Sequence, residues 1–218
     1  EILRTMESVG VDAIGIIVLI GFLIGLILGF QSAIPMRKYG AELYVADLVA
    51  IVMVRELGPL MTAILLAGRS GAAFAAELGT MKVNEEIDAL TTMGLPPVRF
   101  LVVPRVLGMV LVLPLLNVFM ILTALVGTGI VILSFGYPFA TYVGQVVGSI
   151  KLGAVAGGFF KAFVFGILVS AIGCLRGLQT RSGALAVGVS TTRAVVSGII
   201  LIVVVDGVFA VVYYVLGI

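Results

Sequence analysis

The sequence of 218 residues has no histidine, no tryptophan and a single cysteine, Cys174. One cysteine excludes a disulfide within the chain. Without histidine, neither a Cys/His zinc site nor Ser–His or Cys–His catalysis can be assembled. No glycine is followed by lysine, so a Gly-x-x-x-x-Gly-Lys-Ser/Thr phosphate loop is missing too, and any ATP must be bound by a separate subunit. Charge is scarce: 11% of residues are charged and 61% hydrophobic, against about 25% and about 45–50% in soluble domains. The net charge is +2, with no basic run of the kind that grips nucleic acid. A pair of membrane aspartates is the remaining route to hydrolysis. Asp47 and Asp206 fall at different depths, so the two are not expected to share a proton. The expectation is a non-catalytic membrane subunit.

What is present is apolar run after apolar run. Residues 13–36 and 106–150 contain no charge, and a helical span needs ~20 apolar residues. A β-barrel strand would alternate in polarity. Ile16-Ile17-Val18-Leu19-Ile20 does not alternate, nor do residues 199–205. The fold class is therefore all-α: a polytopic helical bundle of about five transmembrane helices in a single domain, residues 1–218. The spans are placed at 12–34, 45–68, 101–133, 153–174 and 194–216. The third exceeds a bilayer's need and carries Pro114 and Asn117, which predicts a kink or an extension beyond lipid. Gly136-Tyr137-Pro138 marks a turn after it, and 140–149 reads as a short interfacial helix. A cramped six-span arrangement would split 106–150 in two. The chain opens at Glu1 rather than methionine and reads as trimmed or partly covered. Residues 13–30 are too long for a signal-peptide core and read as a retained span.

Arg4, Arg69, Lys82, Arg99, Arg105, Arg176, Arg181 and Arg193 fall on one side of these spans, and Arg37, Lys38 and Lys151 on the other. This excess predicts the N-terminus inside and the C-terminus outside. Gly21, Gly25 and Gly29, four apart on span one, form a stripe suited to close helix approach, within the chain or between copies. No internal repeat emerges, and five spans fit poorly with the two inverted halves of many secondary transporters.

Four charges sit near span midpoints: Arg55 and Glu56 in span two, Lys161 in span four and Asp206 in span five. Each alone at mid-bilayer would cost ~2.5–3.5 kcal/mol or more. Two positive and two negative charges at one depth predict pairing inside the bundle. Neighbours on a helix point about 100° apart, so each is expected to pair across helices, Glu56 with Lys161 and Arg55 with Asp206. The cluster either fixes helix register or forms a network that rearranges during transport. Asp47, nearer the outer end of span two, is expected to be wetted.

Residues 69–97 lie between spans two and three. After a Gly/Ala-rich stretch comes Asn84-Glu85-Glu86-Ile87-Asp88-Ala89-Leu90. Asn84 reads as an N-cap, Glu85 and Glu86 as first-turn acids, and Gly94 and Pro96-Pro97 as terminators. The expected helix has about nine residues, with carboxylates on one side and Ile87, Leu90 and Met93 on the other. Membrane-surface helices favour Lys and Arg, so an acidic one points instead to a groove on a cytoplasmic protein partner.

Arg55-Glu56-Leu57-Gly58-Pro59, then Leu65-Leu66-Ala67-Gly68-Arg69-Ser70-Gly71-Ala72-Ala73, Ala76-Glu77-Leu78-Gly79-Thr80-Met81 and Asn84 to Leu90, resemble the signature of the MlaE permease family. Pro104-Arg105 and Thr191-Thr192-Arg193-Ala194-Val195-Val196 match the same family, and the likeness runs over nearly the whole chain. The resemblance implies a homodimer in the bacterial inner membrane. A cytoplasmic ABC ATPase dimer, binding ATP and Mg, would dock below, and a hexameric periplasmic MCE-domain protein would sit above. A STAS-domain protein often binds the ATPase. Such complexes move phospholipid to or from periplasmic carriers and maintain outer-membrane lipid asymmetry, through a cavity at the dimer interface. The resemblance puts the ATPase-coupling helix at 84–93, the polar network at Arg55, Glu56, Lys161 and Asp206, and a lipid-contacting position at Tyr39. It also implies an interfacial helix before span one, for which only residues 1–10 are available. The alternatives are an ion-coupled secondary transporter using the four charges, and a membrane scaffold.

Overall fold

The computed structural model describes the backbone of residues 2–181 and 183–216; the side chains of Ile2, Leu3, Arg4, Ser8, Ala184 and Leu216 lie outside that description. Arg4, counted above among the cations, is therefore not placed. The described residues form nine α-helices and no strand. They are α1 (Ile2–Arg37), α2 (Tyr44–Val52), α3 (Gly58–Leu66), α4 (Ala72–Val83), α5 (Glu86–Thr92), α6 (Val103–Ser134), α7 (Phe139–Ser149), α8 (Leu152–Leu178) and α9 (Ala184–Leu216). Three wide π-helical turns, at Met53–Leu57, Ala67–Gly71 and Val98–Val102, link some of them without a break.

Five helical runs are long and apolar enough to cross a membrane: Thr5–Arg37, Tyr44–Val83, Val98–Ser134, Leu152–Leu178 and Leu185–Val215. The count agrees with the five-span expectation and removes the six-span alternative. The boundaries differ. The helix that carries span two does not stop at residue 68; α2, α3 and α4 are one 40-residue run to Val83, roughly 60 Å at 1.5 Å per residue. That is about twice the hydrocarbon thickness. The Gly/Ala-rich stretch thus continues the span as helix, its glycines meeting α8 and the turn just past its end. A Cβ on Gly79 would lie 2.8 Å from Thr180 Oγ1, and one on Gly173 2.7 Å from the Gly71 carbonyl oxygen. Residues 2–10 likewise continue α1 rather than making a separate interfacial helix.

Two of the wide turns have a local cause. Proline lacks an N–H, and its ring clashes with the carbonyl four residues back, so the turn before it opens. Pro59 follows Met53–Leu57, where Gly58 N–H reaches back five residues to the Met53 carbonyl. Pro104 likewise follows Val98–Val102.

The glycine stripe of α1 lies on α6 within the chain. A Cβ at Gly25 would overlap the Ala124 backbone, and Gly21 and Gly29 face Met120, Thr123, Thr128 and Val131. Backbones this close let Thr128 Oγ1 donate to the Gly25 carbonyl at 2.9 Å. Small residues allow such contact in lipid, where helices gain little from hydrophobicity alone.

α8 is the most buried span and α9 the least. A ladder of polar contacts holds α9 to α8: Thr180 to Ser190 at 2.9 Å, Arg176 to Ser197 at 2.9 Å, Lys161 to Asp206 at 2.9 Å, and Tyr213 OH to the Gly157 carbonyl at 2.8 Å. α7 is the short helix expected after the Gly136 turn (φ 92°). Tyr142 OH donates to the Leu125 carbonyl at 2.6 Å, and Gln145 Nε2 to Asp47 Oδ2 at 2.6 Å. Burial pushes the Tyr142 hydroxyl up to about 12, so it stays a donor.

Candidate functional site

The topology puts Tyr39, α7 and Lys151 at one end of the bundle and α5 at the other. Arg55, Glu56, Lys161 and Asp206 lie roughly 14–18 Å along their helices from the Tyr39 end, at 1.5 Å per residue. Equal depth becomes contact. Lys161, whose side chain is 0% exposed, places Nζ 2.5 Å from Glu56 Oε2 and 2.9 Å from Asp206 Oδ1. One ammonium bridges spans two, four and five. Phe209 and Tyr213 present their rings to the same ammonium, with centroids at 5.8 and 5.5 Å, adding cation–π attraction.

The expected Glu56–Lys161 pair is present, and the expected Arg55–Asp206 pair is replaced. Arg55 instead puts Nε 3.6 Å from Glu56 Oε1, its sequence neighbour, and its guanidinium stands 5.9 Å from the Tyr213 ring centroid. The expectation assumed regular α geometry. The wide turn Met53–Leu57 carries both residues and sets them more nearly side by side. Gly158, three residues before Lys161 on α8, completes the fit: a Cβ there would overlap the Val54 carbonyl oxygen. A missing N–H at Pro59 and a missing side chain at Gly158 bring Lys161 onto Glu56.

Above the cluster, towards the Tyr39 end, a cavity of about 640 Å³ opens; its lining includes Ile51, Arg55, Lys151, Gly153, Tyr213 and Tyr214. Arg55 belongs to both cluster and cavity. The sequence reading missed Lys151, Tyr213 and Tyr214 as cavity residues. Their signal is weak, since each lies near the end of a span, where Lys and Tyr are common anchors. Tyr39 is on the α1–α2 turn, 84% exposed, and is not among the residues lining this cavity.

Asp47 departs from expectation. It is half-buried and bonded to Gln145, and its Oδ1 is buried with no partner. The α7 helix, folded back over the end of span two, shields it from water. Further in, Thr62 and Asn117 are also fully buried with unpartnered polar atoms, and Asn117 Oδ1 lies against the bare backbone of Gly58.

At the opposite end, α5 is shorter than expected, seven residues from Glu86 to Thr92. Asn84 is not its N-cap but closes α4, and its Nδ2 reaches Glu86 Oε1 at 3.3 Å. Glu85 takes the turn in the left-handed region (φ 60°), because the chain must reverse there without a glycine. Ile87 is buried and Leu90 packs on the core, but Met93 lies past the last turn and is 67% exposed. Asp88 folds back to Lys82 at 2.8 Å. Glu85 and Glu86 remain as the exposed acidic edge.

Among the described residues no group of three or more His, Cys, Asp or Glu is arranged to hold a metal.

A family model described as Permease MlaE matches residues 2–212. A probable ABC transporter permease protein of Synechocystis is 38% identical over 202 residues, 92% of this chain and 76% of the relative. The intermembrane phospholipid transport system permease protein MlaE of Haemophilus influenzae is 32% identical over 197 residues, 89% of this chain and 76% of the relative. A chloroplastic Arabidopsis thaliana protein, TRIGALACTOSYLDIACYLGLYCEROL 1, is 31% identical over 205 residues, 94% of this chain and 59% of the relative.

Proposed function

Because the chain belongs to the MlaE permease family, we propose that it is the catalytically silent membrane subunit of an ABC transporter that moves phospholipid. The observation that carries this is the buried ammonium of Lys161 shared between Glu56 and Asp206, beneath a cavity open at one end. A charge cluster that ties three spans together is a two-state element in waiting: any relative shift of those helices must break and remake ion pairs. An ion-coupled transporter would need a carboxylate free to exchange its cation, and Lys161 holds both.

The orientation follows from the positive charges, with the α5 end in the cytoplasm, the Tyr39 end in the periplasm and the bacterial inner membrane between. The exposed Glu85 and Glu86 edge of α5 would then meet a cytoplasmic ATPase dimer, which binds ATP and Mg, in the manner of a short helix entering a groove. The family resemblance extends the proposal to a homodimer, an MCE-domain hexamer over the Tyr39 end, a STAS-domain protein on the ATPase, and a role in outer-membrane lipid asymmetry.

The test is to purify the tagged chain from its native membrane with whatever accompanies it, reconstitute it in liposomes and follow ATP-dependent transfer of labelled phospholipid. Transfer that disappears on Glu85→Lys/Glu86→Lys, together with loss of an accompanying ATPase, is the expected result. A chain that moves its substrate alone, with no nucleotide-hydrolysing subunit attached, refutes the proposal.

A further inference from the structure

Two stretches of the family resemblance, residues 76–81 and 104–105, take no part in the charge cluster or in α5. The fold brings them together. Arg105 Nη2 donates to Glu77 Oε2 at 3.0 Å, and Arg105 Nη1 donates to the Leu101 carbonyl at 2.7 Å. The guanidinium also stands 6.0 Å from the ring centroid of Phe74. One side chain at the start of α6 thus holds α4 on one side and the wide turn Val98–Val102 on the other. These are the two elements between which α5 is strung. At its first end α5 is reversed onto α4 by the Glu85 turn and tied there by Lys82 and Asp88 at 2.8 Å. At its second end Leu95 N–H returns to the Leu90 carbonyl at 3.0 Å, and Pro96-Pro97 lead into the wide turn. α4 packs along α8 and α9 rather than α6, so the Arg105 guanidinium joins elements that do not otherwise lie side by side.

We infer that the Glu77–Arg105 contact is a cross-brace that makes the two anchors of α5 move as one, and that Glu77 is a positioning residue for ATP-driven lipid transfer. The inference rests on the lipid-permease proposal, with an ATPase pressing on α5, and adds to it the residue that directs the push. With the brace closed, a displacement of α5 carries α4 and the start of α6 together. α4 is the far end of the 40-residue helical run that also bears Glu56, roughly 30 Å away at 1.5 Å per residue. The push therefore arrives at the pairs of Lys161 with Glu56 and Asp206, which must break and remake when span two moves against spans four and five. With the brace open, α4 and the wide turn part instead, and the displacement is absorbed before it reaches the cluster. The exposures fit orientation better than stability. Arg105 is 14% exposed, fixed by the Leu101 carbonyl and Phe74, whereas Glu77 is 58% exposed. An ion pair so open to water adds little to folding, so removing the Glu77 carboxylate releases the brace without unfolding the bundle.

The experiment uses the full chain with its accompanying subunits in liposomes. It reads three quantities for each variant: ATP hydrolysed, labelled phospholipid transferred, and the unfolding midpoint in denaturing detergent. Glu77→Ala is expected to keep the midpoint and to hydrolyse ATP within about twofold of the unaltered complex, while phospholipid transferred per ATP falls about fivefold or more, the low end of typical coupling between sites. Arg105→Ala should lower the same ratio, and Glu77→Ala/Arg105→Ala no further than Arg105→Ala alone, since both changes remove one contact. Glu77→Asp, which keeps the charge on a shorter side chain, should recover part of the ratio. A ratio unchanged in Glu77→Ala overturns the inference. So does a proportional fall of hydrolysis, transfer and midpoint together, which marks the pair as structural only. Where Arg105→Ala does not assemble, the two Glu77 variants decide alone. An unaltered complex that hydrolyses no ATP or transfers no phospholipid refutes instead the lipid-permease proposal beneath it.

Discussion

Replacing Lys161 with methionine removes one charge and almost nothing else, because the two side chains are similar in length and the site is fully buried. In the intact cluster Arg55 and Lys161 balance Glu56 and Asp206, a sum of zero. Lys161→Met leaves one cation against two carboxylates, a sum of −1. Arg55 still reaches Glu56, so the orphan is Asp206. Breaking a buried pair costs about 3–5 kcal/mol. Asp206 and Glu56 keep 17% and 29% side-chain exposure, which draws the expectation towards the lower figure, about 3 kcal/mol. Asp206→Asn alone leaves Lys161 its 2.5 Å contact with Glu56 and should cost less, about 1–3 kcal/mol. The double variant Lys161→Met/Asp206→Asn restores a sum of zero. It should therefore be more stable than Lys161→Met alone, by about 2 kcal/mol, within the range seen for coupled neighbours. Reversible unfolding in mixed micelles, followed by circular dichroism against mole fraction of denaturing detergent, measures all three. Two simply additive losses, or a cost below about 1 kcal/mol for Lys161→Met, would show that the ammonium is not what neutralises this site.

Gly25→Ala should destabilise the chain by about 1–3 kcal/mol, since its Cβ overlaps the Ala124 backbone and α1 must move off α6; the same micelle titration reads it. Pro59→Ala restores a backbone N–H and lets the turn at Met53–Leu57 tighten. The helix gains up to about 3 kcal/mol of intrinsic propensity while the Glu56–Lys161 pair is strained. Stability should change little while lipid transfer falls, and a fully active Pro59→Ala would remove the wide turn from the mechanism. Gln145→Ala strips the one bonded oxygen of Asp47, whose other oxygen already lacks a partner. A loss of about 1–3 kcal/mol is expected, with faster hydrogen exchange confined to α7. Unchanged exchange in α7 would show that this contact does not hold it.

The parts of the fold that were legible in the sequence are those decided by transfer to lipid. Apolar runs of sufficient length marked five spans, and Gly136-Tyr137-Pro138 marked the turn before α7. The four midplane charges were legible for the same reason: a charge in an apolar run is costly wherever the run folds, so the four had to meet. Their pairing was not legible. A regular 100° step separates Arg55 from Glu56, and only the widened turn ahead of Pro59 undoes it. Asp47 was misjudged because α7 returns over it from a hundred residues away. Asn84 was misjudged because a good N-cap residue is also a good helix stop.

By itself, then, the sequence determined the class of molecule, the number of helices able to cross a membrane and the depth of the charges. All of these follow from additive, local free energies of moving side chains out of water. Only the tertiary structure decided which carboxylates Lys161 holds, and that Lys151 shares a cavity with Arg55. Those outcomes depend on the rotation and spacing of helices distant in sequence. One missing N–H at Pro59 and one missing side chain at Gly158 set that geometry.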